Sequence, residues 1–152
     1  MTPKSLLRHS KVVSTLEELA QGHFKELIED PRIKTKSKVK KLIFLSGKLY
    51  YDIDKQREEK MNETHAIVRL EQLYPLAEKQ IKKLVQSYKN LEQIIWAQEE
   101  PHNMGAAYFV KMNFPVEIDK IISPAASASP APGSARAFAT RQKELVEKIL
   151  NA

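Results

Sequence analysis

The chain has 152 residues, of which 42% are apolar and 29% charged, with a formal net charge of +6. That length and composition suit one globular domain with a real core. The absence of cysteine excludes disulfides, thiol nucleophiles and Cys-ligated zinc, and no apolar run approaches the roughly 20 residues that span a bilayer.

Residues 1–22 read as a lead-in, and residues 23–152 as the domain proper. Ser14-Thr15-Leu16-Glu17 suggests a capping box from Ser14 to Glu17, opening a short helix through Ala20. His23 to Asp30 suits a weak strand and Pro31 to Lys38 a polar loop. Leu42-Ile43-Phe44-Leu45 is a continuous apolar run, as expected of a strand covered on both faces. Ser46-Gly47-Lys48 ends it, and Leu49 to Lys60 follows as a helix.

His65 to Leu70 is the next strand. Pro75 is suited to open the helix after it, and Ala77, Ile81, Leu84, Val85 and Tyr88 recur at helical spacing. Leu91 to Ala97 carries the third core strand, Met104 to Asn113 a helix, and Glu117 to Ile122 a fourth core strand. Ser123 to Gly133 is an irregular connector rich in Pro, Ala and Ser, and Arg136 to Leu150 is a closing helix. Strands alternating with helices imply an α/β fold: three layers, with a mostly parallel sheet and helices on both faces.

Ligands of such sheets gather beyond the carboxyl ends of the strands. Three segments occupy that edge: Ser46-Gly47-Lys48, Glu71 to Tyr74, and Gln98 to Asn103. Ser46-Gly47-Lys48 lacks the spaced glycine of a P-loop; a plain strand-to-helix turn is preferred over an anion seat built on Lys48. Glu99 and Glu100 are either an acid–base pair or helix-start acids. Arg69 interrupts an apolar strand and needs a partner: Glu71, Glu99 or a bound anion. The histidines, His9, His23, His65 and His102, show no zinc-binding spacing, and no metal site is expected. His102 is either a solvated loop residue or a donor to a substrate or neighbouring subunit. From Arg32 to Lys48 seven basic residues occur with no acid among them. A solvated lysine-rich loop is preferred there over a nucleic-acid surface, and neither nucleic acid nor a membrane is expected as a partner.

Five segments in order carry a family pattern: residues 1–9 (MTPKSLLRH), 46–52 (SGKLYYD), 67–75 (IVRLEQLYP), 96–106 (WAQEEPHNMGA) and 126–133 (ASASPAPG). Together they resemble the C-terminal region of the E1 component of 2-oxoglutarate dehydrogenase. The resemblance implies a fold like the transketolase C-terminal domain. It implies an enzyme that uses thiamin diphosphate and Mg to decarboxylate 2-oxoglutarate and to succinylate the lipoyl group of the E2 component. The cofactors and catalytic residues would lie in upstream domains of the same subunit, leaving none here, and the 152-residue chain alone would be inactive. In the family the first motif lies deep within a long chain, so the resemblance implies an excised piece.

The implied partners are those upstream domains, a second subunit in a homodimer, and E2. Gln98, Glu99, Glu100, His102 and Asn103 are expected to support an interface or the active site. Arg8, Ser46, Lys48 and Arg69 are the residues expected to bind an anionic regulator, acetyl-CoA or AMP; a free-standing regulatory module is the alternative reading. The expected compartment is the cytoplasm, or the mitochondrial matrix in a eukaryote. Two departures stand out: Ala107 where the family often has Trp, and Pro124-Ala125 where it often has Arg-Pro.

Overall fold

A computed structural model describes residues 3–57 and 63–152. The chain runs α1 (Leu16–Gln21), β1 (Leu27–Ile28), β2 (Lys41–Leu45), α2 (Leu49–Arg57), β3 (His65–Leu70), α3 (Glu78–Ser87), β4 (Gln93–Ala97), α4 (Ala107–Asn113), β5 (Lys120–Ile122) and α5 (Ala135–Leu150). The sheet has five strands in the order β1-β3-β2-β4-β5. Among the described residues only β1 is antiparallel.

Successive side chains of a strand point to opposite faces, and the apolar runs use both. Leu42, Phe44, Ala66, Val68, Leu70 and Trp96 face one side, where Ile81 and Leu84 of α3 and Ala107 and Val110 of α4 cover them. Ile43, Leu45, Ile67, Ile95, Ala97 and Ile122 face the other, under Leu49 and Ile53 of α2 and Leu145, Val146 and Ile149 of α5. The result is the expected three-layer α/β architecture. Register strengthens each layer: Ile43 lies level with Ile67 and Ile95, and Phe44 with Val68 and Trp96. A side chain of this size, fully buried, contributes about 1.5–3 kcal/mol.

The helix placement follows from the chain path. From β2 the chain moves to β3 on one side, then crosses back over β2 to β4 and onward to β5. Right-handed crossovers put α2 on one face and α3 and α4 on the other, as found. Adjacent strands β2 and β4 therefore send their chains to opposite faces, and the crevice between their carboxyl ends is the switch point of the fold.

Several local expectations shift. The capping box is one residue later than expected: Thr15 Oγ1 accepts from Glu18 N–H (3.1 Å) and Glu18 Oε2 from Thr15 N–H (3.0 Å). Pro75 does not open α3. It follows a cis peptide bond, and the helix begins at Glu78. α4 starts at Ala107 because Met104 and Gly105 are used in the turn before it, and β5 is trimmed to Lys120–Ile122. The predicted tail of α2, residues 58–60, lies outside the described residues. Ala107, the departure from the family's Trp, packs fully into the core.

The edge of β3 beyond the two-residue β1 is closed by a side chain. Asp30 Oδ2 accepts from the Ile67 N–H (2.9 Å) and from Arg57 Nη1 (2.7 Å), while Oδ1 accepts from Arg32 N–H (3.0 Å). Arg57 also donates to the His65 carbonyl (3.1 Å). Both Asp30 and Arg57 are buried.

At the amino end of β3, His65 Nε2 lies 3.0 Å from the Ala152 main-chain oxygen and Nδ1 lies 2.9 Å from Thr64 Oγ1. An oxygen acceptor at Nε2 fixes the proton there and leaves Nδ1 to accept. Burial lowers the His65 pKa; the Ala152 oxygen opposes this, and the charges of Lys41 and Arg57 reinforce it. A histidine held neutral in the fold binds its proton more readily when unfolded. Stability therefore falls as pH drops below about 6.5, the unfolded value. Urea midpoints are expected to decline between pH 7 and pH 5.5 in the parent and to flatten in His65→Gln. An unchanged slope in the variant assigns the titration elsewhere.

Candidate functional site at the carboxyl edge of the sheet

The turn after β2 is set by Gly47, whose φ of +72° is a left-handed conformation that side chains disfavour. It delivers Lys48 into the switch-point crevice. There Lys48 Nζ pairs with Asp52, one turn along α2, and with Glu99 (3.2 Å), which follows β4. Gln142 Nε2 of α5 donates to the same Asp52 carboxylate (2.8 Å), and Lys48 Nζ sits 5.6 Å from the centre of the Phe138 ring. Burial alone lowers the Lys48 pKa, but the two carboxylates outweigh it and the net direction is upward. The crevice is thus closed by a hydrogen-bonded ionic cluster, two carboxylates on one lysine, drawing on α2, the β4 end and α5.

Arg69, at the same edge, is clamped by aromatic rings. Its Nη1 donates to Tyr51 Oη (2.8 Å), its guanidinium carbon lies 4.6 Å from the Tyr50 ring centre, and Glu71 is at 3.7 Å. Of the sequence-based alternatives, Glu71 is the partner found, and Glu99 is occupied by Lys48 instead. The His9 ring tilts against Tyr51 with centroids 5.4 Å apart, and Lys11 Nζ reaches Asp54 (2.9 Å). Asp54 also accepts from Arg32 Nε (3.0 Å). Burial raises the Asp54 pKa, and Lys11 and Arg32 more than reverse it, leaving it below the usual carboxylate range.

Gln98 is the organiser of the third segment. It is buried; its Oε1 accepts from Trp96 Nε1 (3.0 Å), and its Nε2 donates to the carbonyls of Glu100 (3.2 Å), Pro101 (3.1 Å) and Met104 (2.7 Å). The loop closes so tightly that a Cβ at Gly105, whose φ is +66°, would lie 2.9 Å from Glu100 Cβ. His102 N–H donates to the Pro124 carbonyl (3.0 Å), and its Nδ1 lies 3.2 Å from Ser123 Oγ. Asn103 exchanges two 3.0 Å bonds with the Ser127 backbone. These residues stitch the β4 loop to the Ala-Ser-Ala-Ser-Pro connector. Glu99 and Glu100 take separate roles, Glu99 as the partner of Lys48 and Glu100 packed against Gly105.

Of the four residues expected to hold an anionic regulator, Lys48 and Arg69 are engaged as above, and an anion would have to displace their partners. Ser46 is half-buried at the end of β2, and Arg8 is exposed with no hydrogen-bond or ion-pair partner among the described residues. The basic run from Arg32 to Lys48 is divided among carboxylates: Lys36 to Glu29, Lys38 to Glu63 and Lys40 to Glu92. Among the described residues no group of three His, Asp or Glu side chains is placed to hold a metal ion, and no helix is long and apolar enough to cross a membrane.

Tyr50, Tyr51 and Asp52 lie within the 46–52 motif but, like Phe138 and Gln142, have no site role assigned from sequence. Only Asp52 carries a local signal, its position four residues after Lys48 on a helix.

The 2-oxoglutarate dehydrogenase C-terminal model matches residues 13–150. The chain belongs to the 2-oxoglutarate dehydrogenase C-terminal family. Among curated relatives, the 2-oxoglutarate dehydrogenase E1 component of Cupriavidus necator is 43% identical over 97% of this chain and 16% of its own length. The proteins of the same name from Haemophilus influenzae and Azotobacter vinelandii are 40% and 39% identical, over 99% and 97% of this chain and 17% and 16% of theirs. The chain thus spans about a sixth of the length of the curated relatives it matches. In this chain the cations of the carboxyl edge, Lys48 and Arg69, are already paired with carboxylates.

Proposed function

We propose that this chain serves as the C-terminal domain of a 2-oxoglutarate dehydrogenase E1 subunit. The whole subunit would decarboxylate 2-oxoglutarate with thiamin diphosphate and Mg and pass the succinyl group to the lipoyl arm of E2. The observation that carries this is a family match over residues 13–150, joined to 43% identity with an E1 component across nearly the whole chain. The domain's own residues do not suit the cofactor. A magnesium diphosphate needs converging carboxylates and uncommitted cations. Here Lys48 is already neutralised by Asp52 and Glu99, and no three-ligand acidic group stands among the described residues. No step of the reaction is therefore assigned to this domain. Its part is to present a rigid edge, fixed by Gln98, Lys48 and Arg69, to the rest of the subunit and to a second subunit. With no cysteine to oxidise, the chain fits the reducing cytoplasm that this reading implies.

The test is an assay of the long subunit that contains this domain. With thiamin diphosphate, Mg and 2-oxoglutarate, it is expected to succinylate a lipoyl domain of E2, read as a mass increase on the lipoyl lysine. The 152-residue chain alone is expected to produce none. Succinylation by the short chain, or none by the long subunit with any 2-oxo acid, sinks the reading.

A further inference from the structure

Residues 7–24 expose large apolar side chains to solvent. Leu16 is 86% exposed, Leu19 72% and Phe24 63%, and Leu7 and Val13 are similarly open. α1 has six residues and buries none of them. A helix that short does not hold in water by itself; its capping box orders the first turn and supplies no burial. The segment is nevertheless pinned to the domain through His9 on Tyr51 and Lys11 on Asp54. Those contacts are aromatic and ionic, and they leave the leucines facing outward.

We propose that Leu7, Val13, Leu16, Leu19 and Phe24 form the surface on which the preceding part of the same E1 subunit packs. This rests on the E1 reading above. The relatives are about six times longer than the stretch they share with this chain, and the matched family is their C-terminal portion. The remainder of such a subunit therefore joins through this segment, next to the exposed apolar set. A second copy fits less well. α1 is about 9 Å long, and a pair of such helices buries far less than the roughly 800 Å² per partner of a stable interface.

Hydroxyl-radical footprinting of the long subunit tests this. Leu16, Leu19 and Phe24 are expected to label at least tenfold more slowly than in the urea-unfolded subunit, approaching the buried references Phe44 and Trp96. Labelling at the unfolded rate overturns the proposal. Protection that disappears when the oligomer is diluted to monomers overturns it too, in favour of a second subunit. In the doubly substituted Leu16→Asp, Leu19→Asp subunit, protease cleavage within residues 1–24 is expected to quicken at least tenfold while Phe44 stays protected; unchanged cleavage counts against the surface. Failure of the E1 reading shows separately, as an antibody against the domain finding only a 17.4 kDa chain in cells, and removes the proposed occupant with it.

Discussion

Asp30→Ala is expected to lower the unfolding free energy by about 3–5 kcal/mol, the cost of leaving one partner of a buried ion pair uncompensated. Asp30 and Arg57 are both inside the protein, and the carboxylate serves three donors at once: Arg57 Nη1, the Ile67 N–H and the Arg32 N–H. Truncation strands a guanidinium whose remaining contact is the His65 carbonyl, and it leaves a strand N–H without its acceptor. Asp30→Asn keeps an acceptor oxygen and is expected to cost less. Pairing Asp30→Ala with Arg57→Met is expected to recover part of the loss, because the buried charge goes with its partner. Urea unfolding of the three variants provides the check. Equal losses for the single and double variants mean that charge burial is not the cause.

Gln98→Ala is expected to be the second large loss, with a local signature. The amide satisfies Trp96 Nε1 and gathers the carbonyls of Glu100, Pro101 and Met104. Each polar group left buried and unpaired costs about 1–3 kcal/mol. The total is reduced where the loop opens and its carbonyls reach water. Amide exchange is therefore expected to speed up across residues 99–106, while the β2 and β3 amides, Lys41 to Leu45 and His65 to Leu70, keep their relative protection. Gln98→Glu retains an acceptor for Trp96 but has no amide hydrogens for the three carbonyls, and it is expected to open the loop as well. A loop as protected in Gln98→Ala as in the parent defeats this account.

The layers of the fold were legible because they depend on local pattern. Leu42 to Leu45, His65 to Leu70 and Ile94 to Ala97 are apolar on both faces of a strand, and only a sheet covered on both sides accommodates three such runs. The boundaries that slipped depend on geometry reached through space. Ser14 and Thr15 are equivalent as letters for a capping box, and only Thr15 has a glutamate three residues on with its side chain turned back. Pro75 reads as a helix opener, but it lies in a bend at Tyr74-Pro75, and the helix begins three residues later at Glu78.

Chain order alone puts Ser46, Glu71 and Gln98 just beyond β2, β3 and β4, but the distribution of partners there is not readable in it. Arg69 had Glu71 and Glu99 as equal options until β4 put Glu99 beside Lys48. Gln142 reaches Asp52 from 90 residues away, with no periodicity to announce it. Gln98 appeared as one polar residue among several, and its role rests on four contacts that a loop must fold to make.

The sheet ends in two margins guarded by different means. At one, β1 covers only two residues of β3, and the acidic side chain of Asp30 takes the next N–H. At the other, the three-residue β5 carries exposed Lys120. Short strands and margin charges are the devices by which natural sheets avoid pairing with strangers. The β1 margin is guarded by Asp30 and by Arg57 held on it, so loss of the carboxylate uncovers a free N–H on a strand rich in Ile, Val and Leu. Variants at Asp30 would then accumulate as aggregates during expression, and chaperone demand would become the visible phenotype.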